Sequence, residues 1–319
     1  MTDTAPLGLL VMAYGTPATE EDIEPYFRHI LGGREPSPEA VADLKRRYQI
    51  IGGTSPLTEI TEAQAEGIAR HLQTLVQREV RPYVGMKHAA PFIAEAVQRM
   101  LDDGIREAVA LVMAPQYSVM SIGGYYKEVD KALADQGDRG AGLTLHRVEH
   151  WHTHPGFIAA MARRLRAALA GLETQDPDRV MVIFTAHSLP ARLAETDDPY
   201  PRHLQESAAA AAEAAGLKHW QVAYQSAGST NIPWLGPDIC EVIPQLPDLG
   251  MKAVVACPIG FTADHLEIFY DLDVEARDEA QAAGLEFART ESLNAAEDFV
   301  QALAEVAAAA LPGQEVRRP

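Results

Sequence analysis

Cysteine is nearly absent: Cys240 and Cys257 are the only two in 319 residues. Two thiols exclude a disulfide scaffold and any four-Cys cluster within the chain, and such sparing use suits a reducing cytosol. Positive charge is also scarce. Against 45 Asp and Glu stand 27 Lys and Arg, a formal net charge of −18, which argues against nucleic acid as a partner because neutralising phosphates takes a basic surface. Anionic lipid would be repelled for the same reason. No apolar run reaches the roughly 18 residues that a bilayer span requires, and Asp3 stands where a signal peptide would carry Lys or Arg. A cytoplasmic protein with no membrane span is expected. Gly-x-Ser-x-Gly, His-Glu-x-x-His, Gly-x-Gly-x-x-Gly and a Walker lysine are all missing, so serine hydrolases, zincins and common nucleotide folds lose their most specific signals.

What is present is a large apolar fraction, 47%, in short β-rich runs alternating with Ala-rich amphipathic segments. That alternation predicts parallel strands joined by crossover helices, an α/β fold. Strands are expected at 8–13, 83–86, 108–113, 143–148, 180–185, 221–224, 253–257 and 285–290. The run Val180-Met181-Val182-Ile183-Phe184 is apolar throughout, as a strand buried on both faces should be. Helices are expected at 21–31, 38–48, 61–75 with Thr61 as N-cap, 157–170, 207–215 and 295–311, and the tail 312–319 should fray. The series restarts after a His- and Pro-containing connector, giving an N-terminal lobe 1–155 and a C-terminal lobe 156–319. About 40 residues separate Tyr14 from the helix at 61, far more than a usual βα loop, so 17–57 is expected to form a flap. Between Arg28 and Tyr48 five cations (Arg28, Arg34, Lys45, Arg46, Arg47) outnumber three carboxylates (Glu35, Glu39, Asp43), a local inversion of the chain's charge that is either a solvated helix face or an anion-binding surface.

Three clusters could carry chemistry. On a helix, Glu267, Asp271 and Glu275 at i, i+4 and i+8 would stack three like charges on one face, either an exposed acidic helix or a path for a cation. His187 ends an apolar strand before Ser188-Leu189-Pro190, where a neutral imidazole can accept a proton or ligate a metal, with Glu267 as its natural partner. His150, His152 and His154 form either a simple connector or a Zn²⁺ or Ni²⁺ site.

These segments together resemble the ferrochelatase family. The resemblance is carried in order by Met12-Ala13-Tyr14-Gly15-Thr16-Pro17, Arg47-Tyr48 with Gly52-Gly53-Thr54-Ser55-Pro56-Leu57, Gly85-Met86-Lys87-His88, Ala186-His187-Ser188-Leu189-Pro190, Tyr224-Gln225-Ser226, Pro233-Trp234-Leu235-Gly236-Pro237, and the stretch from Gly260-Phe261 through Asp271. It implies two similar Rossmann-like lobes, each with a four-stranded parallel sheet flanked by helices, a porphyrin between them, and a C-terminal helix packing back across the lobes. It implies an enzyme that inserts Fe²⁺ into a porphyrin. Tyr14 looks like the bacterial coproporphyrin III class, in which this tyrosine is an axial iron ligand. The protoporphyrin IX enzyme, or a two-lobed tetrapyrrole or metal carrier, is the alternative.

Carried over residue by residue, the resemblance makes His187 and Glu267 the catalytic and metal pair and Asp271 and Glu275 the iron entry path. Tyr14, Arg47, Tyr48, Ser55 and Tyr125 would contact the porphyrin or its propionates. One departure is Leu31, where some members carry Arg; Arg34 is the candidate substitute. No cysteine follows Cys257, so no iron–sulfur cluster and no permanently bound cofactor is expected. The expected partners are coproporphyrin III, Fe²⁺ and a transient hand-off to the next heme-pathway enzyme, with the chain acting as a monomer.

Overall fold

A computed structural model describes residues 5–228 and 232–313. The chain forms two units, each built on one four-stranded parallel sheet. In the first, β1 (Leu7–Ala13), β2 (Val80–Met86), β3 (Glu107–Val112) and β4 (Thr144–Arg147) are ordered β2-β1-β3-β4. In the second, β5 (Val180–His187), β6 (Trp220–Gln225), β7 (Ala253–Cys257) and β8 (Glu286–Arg289) are ordered β6-β5-β7-β8. The two orders are the same topology, so the chain repeats one doubly wound unit. All eight expected strands form.

In the first unit every residue of β1 is buried, because helices cover both faces of a parallel sheet. Two helices, Ile23–Ile30 and Pro38–Ile50, fill the long segment after β1. The second starts where Ser37 accepts a hydrogen bond from the Ala40 amide at 3.2 Å and Pro38 occupies the first turn, a favourable start for a helix. The next helix corrects an expectation. It runs Leu57–Val76, and Thr61 lies inside it, fully buried, donating its hydroxyl to the Leu57 carbonyl at 2.7 Å rather than capping the N-terminus.

The C-terminal helix, Glu297–Ala309, is the one expected to pack back across the lobes. The segment from Asn294 belongs with the first unit instead of the C-terminal half. Its helix packs on Leu57–Val76 at Gly67, where a Cβ would lie 3.0 Å from Val300, so a larger residue would need Val300 to give way. Gln64 adds a hydrogen bond from Nε2 to the Asn294 carbonyl at 2.9 Å. Of the expected frayed tail, residues 314–319 lie outside the described residues.

The second unit begins its main body at His152 and also takes in Pro115–Ser118. Helix Tyr200–Ala215 starts seven residues before the expected 207. After β7 the chain turns through Gly260 into a helix whose Ile268–Ala276 portion is π-helical. Ile268, Leu272, Ala276 and Ala280 from this segment are fully buried against Ile183, Val254 and Ala256 of the sheet. The acidic row therefore rides on a helix whose other side is core. Among the described residues, no helix is long and apolar enough to cross a membrane.

Candidate functional site

In the second sheet the chain leaves β5 toward β6 on one side and reaches β7 on the other. The carboxyl ends of β5 and β7 thus flank the topological switch point, where open α/β sheets bind ligands. His187 is the last residue of β5, and Glu267 follows the turn after β7. The turn comes this close because position 260 is glycine: a Cβ there would lie 2.4 Å from the Ala186 Cβ.

His187 Nε2 lies 3.4 Å from Glu267 Oε1. The other ring nitrogen, Nδ1, faces the Ser188 carbonyl at 2.5 Å. A carbonyl can only accept, so Nδ1 carries hydrogen and Nε2 is the atom presented to Glu267. Tyr200 donates its hydroxyl to the His187 carbonyl at 2.8 Å and fixes the backbone. Burial alone would lower the histidine, but the adjacent Glu267 carboxylate overrides it and pushes His187 up to about 9. Glu267 is raised by burial and lowered more strongly by His187 and His265, so it stays ionised. Its second oxygen is 3.6 Å from His265 Nε2. His265 is a site residue that strand-end reasoning passed over; its place two residues before Glu267 was the available signal.

Asp271 lies on the same helix and is buried, 7% exposed. It accepts a hydrogen bond from the Ser226 hydroxyl. Ser226 has φ 60°, a left-handed conformation uncommon for a non-glycine residue, and it follows directly on β6. Glu275 is half-buried. An exposed acidic helix, one of the two readings of this row, is overturned by the burial of Asp271 and of the helix's apolar side.

The first unit holds the remaining expected residues. Tyr14, 40% exposed, emerges from β1 and has its ring 4.5 Å from that of His88. Burial, helped by Lys87 and His29, pushes His88 down to about 3, so a neutral imidazole stands beside the phenol. Tyr48 is buried, its hydroxyl 3.0 Å from that of Thr16. The Ser55 hydroxyl is buried with no hydrogen-bond partner among the described residues, an arrangement that normally awaits a ligand or water. Tyr125 is buried with the Lys87 ammonium 5.1 Å from its ring centre. Arg47 donates Nε to Asp43 at 2.8 Å, and exposed Arg34 donates Nε to the Leu31 carbonyl at 3.1 Å, which anchors its guanidinium at the position of the sequence departure.

The His-rich connector resolves differently. His150 is exposed and His152 buried, so the three do not share a side. His152, His203 and Glu206 do bring ligand atoms within 4.8 Å of one another. However, the two rings are stacked at 3.8 Å and 12°, and cofacial rings do not aim two lone pairs at one point. His203 Nδ1 accepts from the Tyr117 amide at 3.3 Å, which leaves Nε2 protonated. This cluster is a hydrogen-bonded support for helix Tyr200–Ala215.

The fold is the two-unit α/β architecture of chelatases, and it sets an imidazole and a carboxylate side by side at a switch point. The chain belongs to the ferrochelatase family, whose pattern it matches over residues 6–311. It is 44% identical to the coproporphyrin III ferrochelatase of Geobacillus kaustophilus over 302 residues, covering 94% of each chain. It is also 44% identical to that of Bacillus subtilis, covering 94% of this chain and 96% of the relative. Among solved structures, SirB from Bacillus subtilis with Fe3+ shares the fold at TM-score 0.58 and 12% identity, covering 95% of this chain and 96% of that one.

Proposed function

We propose that the protein inserts Fe²⁺ into coproporphyrin III, forming coproheme and releasing the two pyrrole protons. The observation that carries this reading is the His187–Glu267 pair at the carboxyl ends of β5 and β7, on a chain similar throughout its length to coproporphyrin III ferrochelatases.

At rest the pair is an imidazolium and a carboxylate. Incoming Fe²⁺ displaces the Nε2 proton, because a metal ligand must be deprotonated. Asp271 and Glu275 pass the hydrated ion inward, exchanging water for carboxylate oxygens. Once iron enters the ring, the freed pyrrole protons need a base. Iron's move into the ring vacates Nε2, so His187, pushed up to about 9 in the metal-free pair, takes one of them and the other leaves to solvent, whereas an acid held as low as Glu267 is a poor acceptor. Glu267 then serves as ligand and counter-charge. Arg47, Arg34, Tyr48, Tyr125 and the unsatisfied Ser55 hydroxyl meet the porphyrin and its propionates, the arginines offering the fork that carboxylates match. Tyr14 contacts the iron axially, with neutral His88 beside it.

No resident cofactor is needed. A cluster of four thiolates cannot form from two cysteines, and burial pushes both Cys240 and Cys257 up to about 12. We place the enzyme in the cytoplasm, working as a monomer and handing coproheme to the next heme-pathway enzyme. Anaerobic Fe²⁺ insertion followed by absorbance, with coproporphyrin III and protoporphyrin IX in parallel, tests the reading. Faster turnover of coproporphyrin III supports it, faster protoporphyrin IX turnover replaces the substrate, and stoichiometric binding without metalloporphyrin makes the chain a carrier.

A further inference from the structure

A π-helix of nine residues, Ile268–Ala276, calls for a physical cause. Such helices are rare and mostly single-turn, because i→i+5 bonding is weaker than the α-helical pattern. A longer stretch must be held by contacts from outside itself, and two neighbouring strands supply them.

Arg289, the last residue of β8, is 15% exposed and places its guanidinium against the side of the helix. Its Nε and Nη2 donate to the two oxygens of Asp273 at 2.8 and 2.9 Å. Its Nη1 lies 3.5 Å from Asp264 Oδ1, and the Ser292 hydroxyl donates to that same oxygen at 2.6 Å. Nη1 also donates to the Thr290 carbonyl at 3.0 Å. One planar group therefore ties residue 264, in the turn before the helix, to residue 273 within it. Glu267 and Asp271 lie between those two points. A bidentate fork fixes orientation as well as distance, which a lysine could not do.

Gln225, at the end of β6, anchors the start of the same helix. It is 1% exposed, and its side-chain oxygen accepts from the Thr185 hydroxyl at 2.7 Å. That bond sets the amide's orientation, so Nε2 donates to the Glu267 carbonyl at 3.1 Å. Gln225 is also the parallel-strand partner of His187. The same residue therefore touches the backbone of one member of the pair and is in register with the other.

We propose that Arg289 and Gln225 are positioning residues for iron handling: they hold the π-helical register that sets Glu267 against His187 and fixes the spacing to Asp271. This rests on the reading of His187, Glu267 and Asp271 as the iron-handling residues. Neither residue touches iron or porphyrin. Loss of either anchor lets the helix relax toward α-helical winding, which rotates Glu267 relative to His187 while the apolar row keeps the element packed.

The test uses the full chain with Arg289→Met, Arg289→Lys and Gln225→Leu, measuring Fe²⁺ and Zn²⁺ insertion into coproporphyrin III, porphyrin binding by fluorescence, and thermal stability. Both Arg289→Met and Gln225→Leu should raise the Fe²⁺ KM by about fivefold or more and shift the Fe²⁺ to Zn²⁺ preference, with porphyrin Kd unchanged. Arg289→Lys, keeping charge without the fork, should restore stability better than it restores metal KM. A merely structural role would lower Tm and active fraction while leaving metal KM and preference at wild-type values, and that result overturns the proposal. If Arg289→Met does not fold, Gln225→Leu decides by the same criterion. A wild-type chain that inserts no metal instead overturns the enzymatic reading beneath it.

Discussion

The His187 Nε2 atom stands 3.4 Å from Glu267 Oε1 while its Nδ1 is committed to the Ser188 carbonyl. The pair is thus an ion pair in the free protein, and under the proposed function a cation that expels one proton would meet two ligands there. The imidazole and the carboxylate are held so close that each fixes the other's charge.

The first prediction concerns that charge. The ordinary values are 6.5 for histidine and 4.5 for glutamate; His187 is raised to about 9 and Glu267 is lowered. A raised histidine adds stability that is complete below pH 6.5 and lost as pH rises through about 9. A lowered carboxylate adds stability that is present above pH 4.5 and lost as pH falls through its folded value. The stability gap between wild type and Glu267→Gln should therefore be widest between pH 4.5 and 6.5 and narrow on either side. Imidazole NMR titration checks the cause: His187 should titrate near 9 in wild type and well below that in Glu267→Gln, where burial is no longer opposed by the adjacent carboxylate. An unchanged titration would separate the two residues.

Metal dependence should follow the acidic row. In Asp271→Ala with Glu275→Ala, the Fe²⁺ KM should rise about tenfold while saturated turnover changes by less than about threefold, the signature of lost delivery rather than lost chemistry. Steady-state kinetics under anaerobic conditions measure both. Wild-type metal dependence in the double variant would remove these carboxylates from the path.

The eight strands were legible because parallel strands buried on both faces leave continuous apolar runs, as at Val180-Met181-Val182-Ile183-Phe184. The closeness of His187 and Glu267 was legible too, since His187 ends one apolar run and Glu267 follows the glycine turn after another. The π-helix was not. A row repeating every four residues, such as Glu267, Asp271 and Glu275, falls between the α-helical turn of 3.6 residues and the wider i→i+5 turn, so spacing cannot choose between them. What chooses is Arg289 and Gln225 on other strands, and long-range anchors leave no local pattern. The same limit explains Thr61: a threonine before an apolar run reads as a cap, but the helix had already begun at Leu57. The packing of Glu297–Ala309 on the first unit was expected from the resemblance alone, since its close contact at Gly67 lies more than 200 residues away in the chain.

Tyr14 offers a spectroscopic prediction. Its ring is 40% exposed and stands against neutral His88. If its phenol oxygen ligates the product iron, Tyr14→Phe should shift the absorption spectrum of enzyme-bound coproheme and weaken its retention, with Fe²⁺ KM little changed. Identical spectra for wild type and variant would exclude ligation.

Gly260 provides the most direct test of how the fold sets the site. A Cβ at this position would meet the Ala186 Cβ at 2.4 Å and its Cα at 2.8 Å, and neither atom can move without moving β5. Overpacking of this kind costs about 1–3 kcal/mol, so Gly260→Ala should lower Tm by roughly 3–10 °C. Because Ala186 precedes His187, the displacement should also reach the metal pair, and activity measured well below Tm should fall with it. Gly171→Ala is the control. Its Cβ would meet nothing closer than 3.5 Å, and its φ of −80° suits alanine, so reduced unfolded-state entropy should leave that variant at or slightly above wild-type stability with full activity. Calorimetry and anaerobic turnover on both variants decide the matter: equal behaviour of the two would mean that the close approach of residue 260 to β5 does not govern where His187 sits.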